Sequence, residues 1–160
     1  DKKGIVELWD NFVEIVEEYS LEWELWCVGT GDLWSQRKLH PLIKHFGFLQ
    51  PDELGEVIKC TGVYILPSKY EPWGVSLHEM VSAGMPVLVS KDVGSRGCFI
   101  EDEVNGLVFS HKIKNDFKDK LLKMTQYSSS ELLNMGKESV HLSNKFSTTT
   151  WMETLNKIHD

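Results

Sequence analysis

No apolar stretch in this sequence exceeds about five residues, so nothing in it reads as a membrane-spanning helix. Cysteine is scarce. Cys27, Cys60 and Cys98 are an odd number at wide spacing with no CxxC pair, which argues against a disulfide framework or a zinc site. Cys27 and Cys60 lie in or beside apolar runs and are expected to be small core residues. His40, His45, His78, His111, His141 and His159 form no HxxxH or HExxH pattern, so no metal is expected. Basic charge is also in deficit: 17 Lys and Arg stand against 24 Asp and Glu, a formal net charge of −7. Nucleic-acid backbones need a basic surface, so a nucleic-acid partner is not expected. A single phosphate site built from backbone N–H groups remains open. Asp1-Lys2-Lys3-Gly4 leads into an amphipathic stretch with no signal segment, and a reducing cytoplasm is the expected location.

What is present is ordinary globular material. The 160 residues are 41% hydrophobic and 26% charged, which fits one domain, 1–160, with a full core and no need of covalent staples. Ile5, Leu8, Trp9, Phe12, Val13, Val16 and Tyr19 recur at helical spacing and predict a helix over about 4–19. Apolar runs at 23–28, 43–48, 63–66, 86–90 and 107–109 read as strands. Helices are expected near 33–39, from Pro51 to about Cys60, over 75–83, and over 115–126, 129–143 and 148–158, with a helical turn near 98–101. Ser128-x-x-Glu131 is a capping box for the second of the last three. Trp9, Phe12, Trp23 and Trp26 have the spacing of core residues, and Trp151, Leu155 and Ile158 that of one helix face. Strands alternating with helices, and apolar on both faces, indicate an α/β, Rossmann-like sandwich with a mostly parallel sheet. Ligands bind such sheets outside the carboxyl ends of the strands.

The segment after the Val63 strand carries the most chemistry. Glu71 and Glu79 are separated by seven residues, and Gly74 opens a helix between them. The free N–H groups of Gly74, Val75 and Ser76 suit a phosphate or diphosphate, and Gly74 offers no side chain to block it. Carboxylates accept hydrogen bonds from paired hydroxyls, as in ribose or hexose. Taken alone, a capping acid and a solvated helix face explain the two glutamates equally well. Gly29-Thr30-Gly31 has no third Gly for a dinucleotide fingerprint, since Trp34 stands there. His78 is expected to pack near ligand or core, and Lys69 and Tyr70 are as consistent with a solvated loop as with a substrate contact.

The run Pro67-Ser68, Glu71-Pro72-Trp73-Gly74, Glu79, Gly84, Pro86-Val87 resembles the nucleotide-binding, C-terminal half of retaining GT-B glycosyltransferases of the group 1 family. Val93-Gly94, Asp102-x-Val104-Asn105-Gly106, Lys3-Gly4, Gly29-Thr30-Gly31 and Phe46-Gly47-Phe48 follow its pattern in order, over about 3–109. Cys98 departs from it, where the family often has a glutamate. The resemblance implies that Lys3 meets the donor diphosphate and that Gly74, Val75 and Ser76 supply backbone donors. It implies that Glu71 lies against the transferred sugar as the catalytic residue, that Glu79 holds the ribose, and that Gly47, Phe48 and Leu49 frame the base. The activity implied is retaining transfer of a hexose from a nucleotide-diphosphate sugar to an acceptor hydroxyl, as in surface polysaccharide or glycoconjugate synthesis. No metal or cofactor is implied beyond that donor. The acceptor, a glycan or lipid-linked sugar, would be held by an absent N-terminal domain, and a membrane-peripheral full-length enzyme is compatible with this. The resemblance also implies a central strand before Lys3, which leaves a gap between the strands ending at Val28 and Leu66. Upstream residues are its expected occupant, with another chain or a rearranged sheet as alternatives. Two other functions stay open: a sugar-nucleotide epimerase on a related scaffold, and a non-catalytic module that binds nucleotide-sugar or a protein partner.

Overall fold

The computed structural model describes residues 1–159, with side chains given throughout except at positions 148, 153, 154 and 157–159. In chain order the elements are α1 (Ile5–Tyr19), β1 (Leu25–Val28), a 3-10 turn (Trp34–Gln36), β2 (Ile43–Gly47), α2 (Pro51–Lys59) and β3 (Tyr64–Leu66). There follow α3 (Val75–Ser82), β4 (Val87–Ser90), α4 (Arg96–Phe99), β5 (Gly106–Phe109), α5 (Asp116–Gln126), α6 (Ser129–Asn144) and α7 (Thr148–His159). The helix termini follow from local chemistry. At α2, Pro51 occupies the first turn and Gln50 and Glu53 form a capping box. At α6 the expected box is present: the Ser128 N–H donates to Glu131 at 2.8 Å, and the Glu131 N–H donates to Ser128 Oγ at 3.3 Å.

Every strand pair is parallel, as the alternation of strands and helices requires: β1 with β2, β3 with β4, and β4 with β5. The strands form two sheets, β1-β2 and β3-β4-β5, with no hydrogen-bonded ladder joining β1 to β3. The expected gap between the strands ending at Val28 and Leu66 is therefore present.

Two apolar layers sandwich the larger sheet. On one face Leu88, Leu107 and Phe109 pack against α1 (Leu8, Trp9, Phe12, Ile15) and α5 (Phe117, Leu121, Met124). On the other, Leu66, Val87 and Val89 pack against Leu77 and Val81 of α3 and Phe99 of α4. All four residues of β4 are buried, as befits the middle of that sheet. Asn105, fully buried, donates to the Phe99 carbonyl at 3.0 Å and to Ser139 Oγ at 3.1 Å, tying the turn before β5 to α6.

Some expectations change. Cys60 is exposed at the end of α2, because the helix stops there, whereas Cys27 is half-buried beside Trp9. Trp9 and Phe12 are core; Trp23 and Trp26 are half-buried, with Trp26 packed on Phe46. Trp151 and Leu155 are exposed on α7, and the Ile158 side chain lies outside the described residues.

Candidate functional site

β3 ends at Leu66, and the chain then loops through 67–74 before α3 begins. Gly74 caps α3 with φ 90°, a left-handed conformation, and it is buried. A Cβ there would meet Val93 Cγ1 at 3.1 Å and Glu71 Cγ at 3.3 Å, so glycine answers both the conformation and the close approach. α-Helix geometry leaves the N–H groups of Val75 and Ser76 without intrahelical acceptors, at the end of α3 that follows the loop from β3. Val75 is exposed and Ser76 half-buried.

A second loop, after β4, clasps the first. Glu71 bridges in parallel with Val93, and the Gly94 N–H donates to the Glu71 carbonyl at 2.9 Å. Ser95 gives both its N–H, at 3.0 Å, and its Oγ, at 2.5 Å, to the Trp73 carbonyl. Gly94 lies so close to Pro72 that a Cβ would stand 2.0 Å from the Pro72 oxygen. The loop carrying Glu71 is thus held by backbone contacts on both of its turns.

The charged side chains converge here. Lys3, two-thirds exposed, ion-pairs with Glu71 Oε2, and Glu71 retains only 16% of its side-chain exposure. Tyr64 on β3 donates its hydroxyl to Ser76 Oγ at 2.8 Å. Burial pushes the Tyr64 phenol upward; the Ser76 bond acts against this, and the charges of Glu79 and Glu71 add to it. Glu71 packs beside Gly74, its Cγ 3.3 Å from where a Cβ on that glycine would stand, while Glu79, Tyr64 and Ser76 line one cleft. Glu79 is exposed. Gly47, at φ 72°, ends β2, with Phe48 exposed and Leu49 half-buried beyond it. These three lie at the carboxyl end of β2, in the other sheet.

His78 stacks on the core residue Phe99, ring centroids 4.3 Å apart. Lys69 ion-pairs with Glu7 at 3.0 Å, and Tyr70 is exposed. Several supporting residues gave no sequence signal. His111, at the end of β5, has Nδ1 3.1 Å from Glu7 Oε2 and Nε2 3.0 Å from the Pro67 carbonyl. It ties β5, α1 and the start of the Glu71 loop together, and its partners are 104 and 44 residues away. Asp92 and Ser95, also without a sequence signal, hold the same loop from beyond β4: the Glu71 N–H donates to the Asp92 carbonyl at 3.4 Å, and Ser95 reaches Trp73 across 22 residues. Among the described residues no group of three or more His, Cys, Asp or Glu is placed to hold a metal. No helix among them is long and apolar enough to cross a membrane.

The family model for "Glycosyl transferases group 1" matches residues 1–139, and the chain belongs to that family. An uncharacterized glycosyltransferase of Methanocaldococcus jannaschii is 34% identical over 113 residues, 66% of this chain and 28% of that protein. The chain thus spans about a quarter of that relative's length. The fold matches a mutant of S. aureus TarM solved with fondaparinux, alpha-GlcNAc-glycerol and UDP, with TM-score 0.82 and 20% identity over 98% of this chain and 33% of that one. It also matches the C-terminal domain of a glycosyl transferase group 1 family protein (LpcC) from Francisella tularensis, with TM-score 0.76 and 20% identity over 92% and 81% of the two chains. The architecture is that of the C-terminal, Rossmann-like domains of GT-B glycosyltransferases.

Proposed function

We propose that this member of the glycosyl transferases group 1 family is the donor-binding domain of a retaining glycosyltransferase. It would move a hexose from a nucleotide-diphosphate sugar to an acceptor hydroxyl, in surface polysaccharide or glycoconjugate synthesis. The observation that carries this reading is the β3–α3 corner: a helix N-terminus opened by Gly74, flanked by Glu71 and Glu79, with Lys3 on Glu71. UDP in the complex of the structurally similar TarM adds support from the fold.

In this scheme the N–H groups of Gly74, Val75 and Ser76 and the Lys3 ammonium take the donor diphosphate. The bond from the anomeric carbon to the diphosphate oxygen breaks, and its electron pair goes to the diphosphate. Preorganised N–H dipoles and one ammonium stabilise that charge with little reorganisation. The acceptor oxygen bonds to the same face of the carbon, and its proton passes to the departing phosphate. Glu71 orients the hexose hydroxyls, Glu79 holds the ribose hydroxyls, and Gly47–Leu49 frame the base. No metal and no cofactor take part. The acceptor is a glycan or lipid-linked sugar held by an N-terminal domain outside this chain, and the enzyme works in the cytoplasm.

Product analysis with an isotopically labelled donor, on the polypeptide that includes the acceptor half, tests this. A glycoside with the donor's anomeric configuration is expected. An inverted glycoside would remove retention, and a labelled sugar epimer with no acceptor product would move the chain to the epimerases.

A further inference from the structure

We propose that the turns at the carboxyl ends of β3, β4 and β5 form a second contact surface, for an acceptor glycan that carries phosphate or carboxylate groups. The proposal rests on the transferase reading, in which the transferred hexose lies at Glu71. It adds that this domain shares in holding the acceptor, and that the acceptor is anionic.

The three strands are parallel and ordered β3-β4-β5, so their carboxyl ends lie side by side. Backbone contacts join the turns that follow them. The Lys69 N–H donates to the Lys2 carbonyl at 2.8 Å, the Glu71 N–H to that of Asp92 at 3.4 Å, and the Lys91 N–H to that of Phe109 at 2.8 Å. His111 Nε2 lies 3.0 Å from the Pro67 carbonyl. Residues 1–3, 67–73, 91–95 and 111–115 are therefore one continuous surface. It holds six lysines against three carboxylates, in a chain where acids outnumber bases by 24 to 17. Two of the three carboxylates are engaged: Asp1 accepts the Ile5 and Val6 N–H groups, and Glu71 pairs with Lys3.

The lysines here differ from many elsewhere. Lys44 pairs with Glu24, Lys59 with Glu56, Lys118 with Glu14 and Glu18, and Lys123 with Glu103. Lys2, Lys91, Lys112 and Lys114 are exposed and enter no ion pair among the described residues. Like charges gathered on one edge repel each other and concentrate anions beside it. The groups assigned to the donor lie after β2, at the β3–α3 corner and at Lys3. The lysines beyond β4 and β5 are left for what meets the hexose, which is the acceptor. Tyr70 and Trp73 stand 66% and 51% exposed in the same turns, and the C–H face of a pyranose packs on such rings. Trp73 is steadied by an edge contact with Phe99, ring centroids 6.4 Å apart. A bilayer resting on these turns would cover the Glu71 loop, so a glycan rather than a lipid surface is the partner.

Fluorescence anisotropy with labelled probes is the test. The probes are a pectin-derived oligogalacturonate, a phosphomannan fragment, a neutral maltooligosaccharide of equal length, and vesicles of phosphatidylglycerol and phosphatidylcholine. Wild type should bind at least one acidic glycan at least about tenfold tighter than the neutral one, and more so at low salt. The tighter of the two names the acidic group. Lys91→Ala/Lys112→Ala/Lys114→Ala should lose at least about tenfold of that affinity while its melting temperature stays within a few degrees of wild type. Removing three lysines from helices, Lys59→Ala/Lys123→Ala/Lys137→Ala, should cost less than about threefold. No preference for acidic over neutral glycan, or equal losses in the two triple variants, would overturn the proposal. So would vesicle binding that needs Lys91, Lys112 and Lys114 without any glycan preference, which would assign the surface to a membrane. Calorimetry with UDP separates this surface from the donor site. The Lys91/Lys112/Lys114 variant should keep wild-type affinity for UDP; a loss of about tenfold would assign these lysines to the donor and overturn the proposal. A wild type that prefers acidic glycan but binds no UDP would support the surface and remove the donor reading alone.

Discussion

Lys3 and Glu71 are ion-paired across 68 residues of sequence, one at the approach to α1 and the other in the loop after β3. The pair joins an exposed cation to a half-enclosed carboxylate in the loop that follows β3. Because Lys3 is two-thirds exposed, the pair contributes no more than about 1 kcal/mol to stability. Lys3→Met should therefore leave the melting temperature within a few degrees of wild type while weakening binding of a nucleotide diphosphate at least about tenfold. Differential scanning fluorimetry and calorimetry on one preparation check both halves.

The two glutamates should separate functionally. Glu79→Ala is expected to weaken nucleotide binding about 10–100-fold, the loss of hydrogen bonds to a charged acceptor. Glu71→Ala should spare most of that affinity and lower turnover in the full-length enzyme. Calorimetry with equal losses for the two variants would remove this division of roles.

Gly94→Ala should be more damaging than its distance from the ligand groups suggests. A Cβ there would stand 2.0 Å from the Pro72 oxygen, so the backbone contact between the two loops must open. A destabilisation of about 2–4 kcal/mol is expected, as for overpacking against backbone. Gly97→Ala, where a Cβ meets nothing within 4 Å, serves as the control and should fall within about 0.5 kcal/mol of wild type. Urea denaturation distinguishes them.

Much of this was legible from the sequence, and the limits have a physical pattern. Pro51, the Ser128–Glu131 box, Gly74 and Asn105-Gly106 are local signals, and the elements they bound match the structure closely. Glu71, Gly74 and Glu79 are near one another in sequence, so a single loop and helix bring them together. His111 and Glu7 meet only because β5 and α1 share a face, and nothing local in either segment marks that contact. Cys60 was misplaced because an apolar neighbourhood does not say where a helix stops. The division of the strands into two sheets is also non-local: nothing within β1 or β3 marks it, and only the family resemblance implied the gap between them.

Stability should fall at high pH through Tyr64. Burial, with Glu79 and Glu71 nearby, holds the folded phenol above its ordinary value, with the Ser76 bond acting the other way. The unfolded chain then loses the proton first as pH rises above about 10, and folding free energy is lost through the folded titration. Cys27, raised by burial against the Trp9 N–H, adds a loss of the same sign starting at lower pH. Tyr64→Phe should cost about 1 kcal/mol at pH 7, from the Ser76 bond, and shrink the fall between pH 9 and pH 11. An unchanged alkaline fall in the variant would place its origin elsewhere.

The donor site itself is tested most directly by a thermal-shift panel of UDP-, GDP- and ADP-sugars on wild type and Glu79→Ala. A ligand that binds only the folded state raises the melting temperature with occupancy. At least one nucleotide-sugar should raise the wild-type midpoint saturably, and the same ligand should do markedly less for Glu79→Ala. No shift with any of the three, or equal shifts in both proteins, would contradict a nucleotide-sugar site at Glu71, Gly74 and Glu79.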